Sequence, residues 1–276
     1  MLKRNKGKWS HVKVIAVTSG KGGVGKTNVV ANLAYSLSML GKKVMVLDAN
    51  IGLGNLDVLL GLEPSYNVTD VIDGRKKIHE IVIQGPGGIR ILPSSSRIHD
   101  VAELSKGQKV NLITQMDELN EDIDFLLIDA GSGISDNVMF FNVAAHDIIM
   151  VASPEPTSII DAYAQMVVMS HNYSEHRFQL LVNSVKSEAE AKAVYKKLCN
   201  ITDRFLNISL DYLGFILHDP GMTRAVRKQK VIVEIFPESP ASQCFLRIAR
   251  AMAVQTDSQS PKGNIQFFWK RLFQVA

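Results

Sequence analysis

The residues of this chain best placed to do chemistry are a lysine and a threonine behind four glycines, in Ser19-Gly20-Lys21-Gly22-Gly23-Val24-Gly25-Lys26-Thr27. The spacing G-x-x-x-x-G-K-[ST] is that of a phosphate-binding loop, in which successive backbone N–H groups and a helix N-terminus converge on one positive, concave spot. Gly20, Gly22, Gly23 and Gly25 let the main chain approach phosphate closely. Lys26 can reach the β- and γ-phosphates, and the Thr27 hydroxyl can ligate Mg²⁺. The candidate cofactor-binding residues are therefore Gly20, Lys21, Gly22, Gly23, Val24, Gly25, Lys26, Thr27 and Asn28, with ATP or ADP and Mg²⁺ as the cofactors. Lys21 stands apart, because the geometry of the loop needs no lysine directly after its first glycine.

Two acids follow apolar runs. Val44-Met45-Val46-Leu47 ends at Asp48, and Phe125-Leu126-Leu127-Ile128 ends at Asp129. Ligands of parallel α/β sheets gather at the carboxyl ends of strands, so Asp48 is expected beside the phosphate loop and Asp129 at the second acidic position that orients Mg²⁺ or its waters. Thr27, Asp48 and Asp129 form the candidate metal set. The loop Ala49 to Asn55, with Asn50 near its start, is placed to change conformation with the γ-phosphate. Ala130-Gly131-Ser132-Gly133 reads as a flexible turn before a helix capped by Asp136, a second nucleotide-sensing loop. Asn183, at the end of Leu180-Leu181-Val182, is placed either to read the adenine edge or to make ordinary turn contacts.

These groups need a scaffold that brings strand ends together. Val12 to Val17 reads as a buried strand leading into the loop, and a periodic helix runs from the loop to about Leu40. Leu56 to Ile83 has the pattern of short helices and turns. Gly85-Pro86-Gly87-Gly88 turns into a strand from Ile89 to Leu92. Helices are expected over Gln108 to Leu119, Ser158 to His171, Glu188 to Asn207, Pro220 to Lys228 and Ala241 to Val254. Strands are expected over Ile148 to Ala152, Phe178 to Asn183 and Tyr212 to Leu217. Strands alternating with helices imply an α/β fold, a doubly wound and mostly parallel sheet flanked by helices.

At 276 residues, 46% hydrophobic and 21% charged, the chain can bury one large α/β core. A formal charge of +4 is too small a bias to argue for nucleic acid. The two cysteines, Cys199 and Cys244, have neither C-x-x-C spacing nor a histidine cluster, which fits two buried thiols in a reducing cytosol. No apolar run reaches the roughly 20 residues of a membrane-spanning helix. Residues 1–11 read as a basic tail, 12–255 as the nucleotide-binding domain and 256–264 as a linker. The last segment, 265–276, places Ile265, Phe268, Trp269, Leu272, Phe273, Val275 and Ala276 within an arc of about 160° at helical spacing. Lys270 and Arg271 face the other way, which suits a helix lying in the interfacial layer of a bilayer; docking on the protein's own core is the alternative.

Gly20-Lys21-Gly22-Gly23-Val24-Gly25-Lys26-Thr27 resembles the deviant Walker A motif of the MinD/ParA ATPases. Within that group, Asp48 to Asp57, Glu155-Pro156-Thr157-Ser158 followed by Asp161-Ala162-Tyr163, Thr202 to Leu206, and the tail with Phe267-Phe268 and Arg271-Leu272 are similar to the flagellar-number regulators called FlhG, FleN or YlxH. The resemblance implies an ATP-dependent monomer–dimer switch in which Lys21 of each subunit neutralises phosphate charge in the other. It implies a slow ATPase with Lys21, Lys26, Asp48 and position 50 at the reaction. It also implies association with the inner face of the cytoplasmic membrane through the C-terminal helix. Implied partners are a second copy, membrane lipids, an FlhF-type GTPase, a flagellar master transcription activator and C-ring components, with no specific nucleic acid. Two departures stand out. Asn50 occupies a position where the family usually carries aspartate, and Met1 to His11 lacks the segment with which some members stimulate the partner GTPase.

Overall fold

Aliphatic strands that alternate with helices draw the described residues of a computed structural model, 12–94, 103–119 and 121–255, around one eight-stranded sheet. In chain order the strands are β1 (Lys13–Ser19), β2 (Val44–Asp48), β3 (Ile83–Gln84), β4 (Arg90–Leu92), β5 (Phe125–Ser132), β6 (Asp147–Ala152), β7 (Arg177–Val185) and β8 (Ser209–Leu217). The helices are α1 (Lys26–Met39), α2 (Leu56–Leu60), α3 (Val68–Ile72), α4 (Ile78–Ile81), α5 (Lys106–Glu118), α6 (Asp136–Ala144), α7 (Pro156–Tyr173), α8 (Glu188–Phe205), α9 (Pro220–Arg227), α10 (Ile232–Ile235) and α11 (Pro240–Gln255).

The spatial order is β3-β4-β2-β5-β1-β6-β7-β8, parallel throughout except for β3. The chain passes from β1 to β2 on one side and later crosses to β6 on the other. That reversal opens a crevice at the carboxyl end of β1, where open α/β sheets bind their ligands. Successive side chains of β1 feed the two faces: Ile15 and Val17 join the core under α1, α7 and α11, whereas Val14 and Ala16 join the core under α3 and α5. Burial on both faces explains the near-continuous aliphatic runs. Phe125, fully buried on β5, is worth about 3–5 kcal/mol against alanine.

Both sheet edges are short or broken. β3 has two residues. In β8 the pairing with β7 slips at Leu213, and Gly214 sits at φ +145° with a virtual Cβ 3.2 Å from Ile248.

Several local expectations are corrected. β5 continues past Asp129 to Ser132, because Ser19 of β1 still pairs with Ser132; the turn begins only at Gly133, where φ is +85°. Ser135, not Asp136, caps α6, its hydroxyl accepting from the Val138 N–H, and Asp136 is the first helical residue. Cys244 is buried but Cys199 only half-buried. β3 and α10 were not expected: the first is two residues long and the second four. Among the described residues no helix is long and apolar enough to cross a membrane. The basic tail 1–11, the linker 256–264 and the amphipathic segment 265–276, with Ile265, Phe268, Trp269, Leu272 and Phe273, lie outside the described residues.

Candidate functional site

The loop between β1 and α1 owes its shape to glycine at particular points. Gly23 and Gly25 have φ of +81° and +87°. A Cβ on Gly25 would lie 2.5 Å from the Asn183 amide nitrogen, and one on Gly20 would lie 2.1 Å from the Asp161 carbonyl on α7. Gly25 is the N-cap of α1 and offers no side chain to its first turn. The leading N–H groups of a 14-residue helix therefore point out of the crevice mouth without a side-chain acceptor, a preformed place for an anion.

Behind the loop, Lys26 is buried and its Nζ lies 3.0 Å from Oδ1 of Asp129. Asp48 is the register neighbour of Asp129 on the adjacent strand, and each is 1% exposed. The carboxylate of Asp48 accepts from the N–H groups of Asn50, at 3.1 Å, and Leu56, at 3.3 Å. Those bonds do not offset desolvation: burial, and next the negative charge of Asp129, push the Asp48 carboxyl up to about 7. Oδ2 of Asp129 is buried with no hydrogen-bond partner. Two adjacent buried carboxylates thus share one ammonium and retain an unfilled oxygen, which is the donor set a hard divalent cation satisfies. Mg²⁺ fits this donor set, and Thr27 at the head of α1, Asp48 and Asp129 are the residues that would hold it, directly or through water. When bound it would neutralise phosphate charge and polarise a phosphoryl oxygen. Thr27 and Asn28 are half-buried on the first turn of α1.

The remaining expected residues are brought to the same end of the sheet. Lys21 turns back on its own chain, with Nζ 2.7 Å from Oε2 of Glu155 and 3.0 Å from the Thr157 hydroxyl, at the start of α7. It lines a cavity of about 360 Å³ with Pro154, Glu155, Ser184, Lys186 and Glu190. Asn50 donates its side-chain amide to the Leu53 carbonyl at 2.9 Å, closing a turn that a carboxylate could not close in that way. Asn183 donates to the Val24 carbonyl at 2.8 Å, so the amide is locked to the phosphate loop and its oxygen is left to accept.

Sequence reasoning missed several side chains that hold this assembly. Glu155 and Thr157 stood out only by resemblance. Thr18, Asn142 and Gln165 were passed over, and they are fully buried beneath the loop. The available signal was a mismatch of pattern: Gln165 lies between Ala162 and Met166 on the apolar stripe of α7, where a polar residue needs partners.

Comparison with known proteins agrees with this geometry. A family model described as "ParA: NUBPL iron-transfer P-loop NTPase" matches residues 10–253. Antiactivator FleN of Pseudomonas aeruginosa is 43% identical over 95% of this chain and 94% of its own length. Flagellum site-determining protein YlxH of Helicobacter pylori is 34% identical over 98% of this chain and 92% of its own. Among solved structures, the MinC:MinD cell division protein complex of Aquifex aeolicus aligns with a TM-score of 0.74 at 28% identity, covering 91% of this chain and 99% of the other.

Proposed function

The chain belongs to the ParA/MinD family of P-loop NTPases, alongside FleN and YlxH, and from that premise we propose that it is an ATP-dependent monomer–dimer switch regulating flagellar number or placement. One observation carries the reading: beside an uncapped, glycine-shaped phosphate loop, Lys26 and the Asp48–Asp129 pair are buried together with an oxygen left for a cation. ATP and Mg²⁺ are the ligands that this arrangement takes. Asn183, its amide nitrogen committed to Val24, accepts from the adenine amino group and disfavours the O6 of guanine.

In the dimer, Lys21 leaves Glu155 and Thr157 and faces the phosphates of the second copy. Phosphoryl transfer depends mainly on positioning the attacking water and stabilising charge, and Asn50 supplies an amide where relatives use a carboxylate, so turnover is slow and the dimer long-lived. The C-terminal segment 265–276 then contacts the inner face of the cytoplasmic membrane. The flagellar master activator, the FlhF-type GTPase and C-ring components are the partners of this output. Sedimentation at saturating ATP and Mg²⁺ tests the core of the proposal, since a chain that stays monomeric refutes it. Co-sedimentation with liposomes, comparing the full chain with one ending at Pro261, tests the membrane step.

A second reading is favoured by Asn50 alone: a nucleotide-gated scaffold, such as an antiactivator, whose output is protein contact without hydrolysis. Turnover and dimerisation measured on one preparation separate the two, because the scaffold dimerises with ATP and releases no phosphate.

A further inference from the structure

Helix α7 is laid along the entrance to the phosphate loop, and consecutive residues of the chain climb it. Thr18 meets Gln165, Gly20 abuts the backbone of Asp161, and Lys21 reaches Thr157 and Glu155. Thr157, Asp161 and Gln165 are spaced by four and share one face of the helix. At the lower end the contact is a polar hub that uses the amide protons of Gln165 and Asn142, while Oε1 of Gln165 and Oδ1 of Asn142 are buried without a hydrogen-bond partner. The Thr18 hydroxyl accepts from the amides of Gln165, at 2.9 Å, and Asn142, at 3.1 Å, and donates to the Gly131 carbonyl at 3.3 Å. A hydroxyl has one proton and two lone pairs, so this one is saturated and its direction fixed. The second proton of the Gln165 amide goes to the Gly133 carbonyl at 2.7 Å, and the Gly133 N–H returns to Ser19 at 3.0 Å.

We infer that Gln165 is a positioning residue that makes the end of β5 with the turn after it, Gly131 to Ile134, and helix α7 move as one body. The position of that turn thereby controls whether Lys21 stays on Glu155. If the turn shifts without α7, one proton of the fully buried Gln165 amide loses its acceptor, the Gly133 carbonyl, while the other stays on Thr18 of β1, and an unpaired buried donor is costly. If α7 instead pivots with it about the Thr18–Gln165 contact, both bonds of that amide survive, and the exposed Lys21–Glu155 pair at the helix start is the contact that gives way, because surface ion pairs are weak. This coupling rests on the nucleotide switch proposed for the chain, and it adds the route from turn to lysine.

Hydrogen exchange of the full chain with and without ATP and Mg²⁺ tests it. In the parent, exchange in the phosphate loop, in the segment from Gly131 to Ile134 and in α7 should respond together. In Gln165→Met, which keeps the volume but removes both donors, nucleotide affinity should hold within about twofold, as for sites that share no partners, while the α7 response falls at least about threefold. Thr18→Val should do the same and Thr18→Ser should behave as the parent. A merely structural amide would lower stability and leave the α7 response in place, and that result would overturn the inference. So would a parent in which the turn responds and α7 does not, a comparison that needs no variant to fold. A parent whose phosphate loop ignores ATP would instead refute the nucleotide reading.

Discussion

Removing the charge of Asp48 should change how stability depends on pH, and the size of the change follows from its surroundings. The carboxyl is raised from 3.8 to about 7, first by burial and then by Asp129. Because the folded chain holds this proton to higher pH than the unfolded chain does, the native state binds more protons between about pH 4 and pH 7 and loses stability as pH rises through that window. A shift of about three units corresponds to about 4 kcal/mol in full, of which about 2–3 kcal/mol falls between pH 5 and pH 8. Asp48→Asn removes the titration but keeps an acceptor for one of the two N–H groups, those of Asn50 and Leu56. The lost second bond costs a pH-independent amount that drops out of the slope. Urea unfolding of both chains without nucleotide, from pH 5 to pH 8, should show the parent losing about 2–3 kcal/mol relative to the variant. Saturating ATP and Mg²⁺ should flatten the profile of the parent, since added positive charge offsets the like-charge pair. A parent-minus-variant difference that is level, or that grows with pH in favour of the parent, refutes the electrostatic account of the site.

Lys21→Ala should bind ATP as a monomer and fail to dimerise, whereas Glu155→Gln should lower the ATP concentration needed for half-maximal dimer a few-fold; analytical ultracentrifugation reads both. Stability should change by less than about 1 kcal/mol in Glu155→Gln, since the pair is solvent-exposed. Asn50→Asp should raise steady-state phosphate release by about 10²–10⁴, the usual worth of a general base, and equal rates would dismiss the slow-turnover proposal. Gly25→Ala forces a non-glycine residue to φ +87° against Asn183 and should abolish nucleotide binding in calorimetry, with about 1–2 kcal/mol of backbone strain.

The fold was legible because both faces of the central strands are buried, so runs such as Phe125 to Ile128 and Val44 to Leu47 signal themselves without ambiguity. The phosphate loop was legible because only glycine fits its turns. What was hidden depends on long-range pairing. The end of β5 is set by Ser19, more than a hundred residues earlier, and no local propensity reports that. Ser135 outcompetes Asp136 as a cap because the chain is still extended at position 135. Thr18, Asn142 and Gln165 are ordinary polar residues until three elements bring them together, and Lys21 gives no sign in sequence of the carboxylate it rests on.

The interrupted rims of the sheet have a cellular consequence. A two-residue border strand on one side and a slipped, glycine-kinked one on the other shorten the regular stretch on which another chain can extend the ladder. Lateral polymerisation through these rims is thereby discouraged.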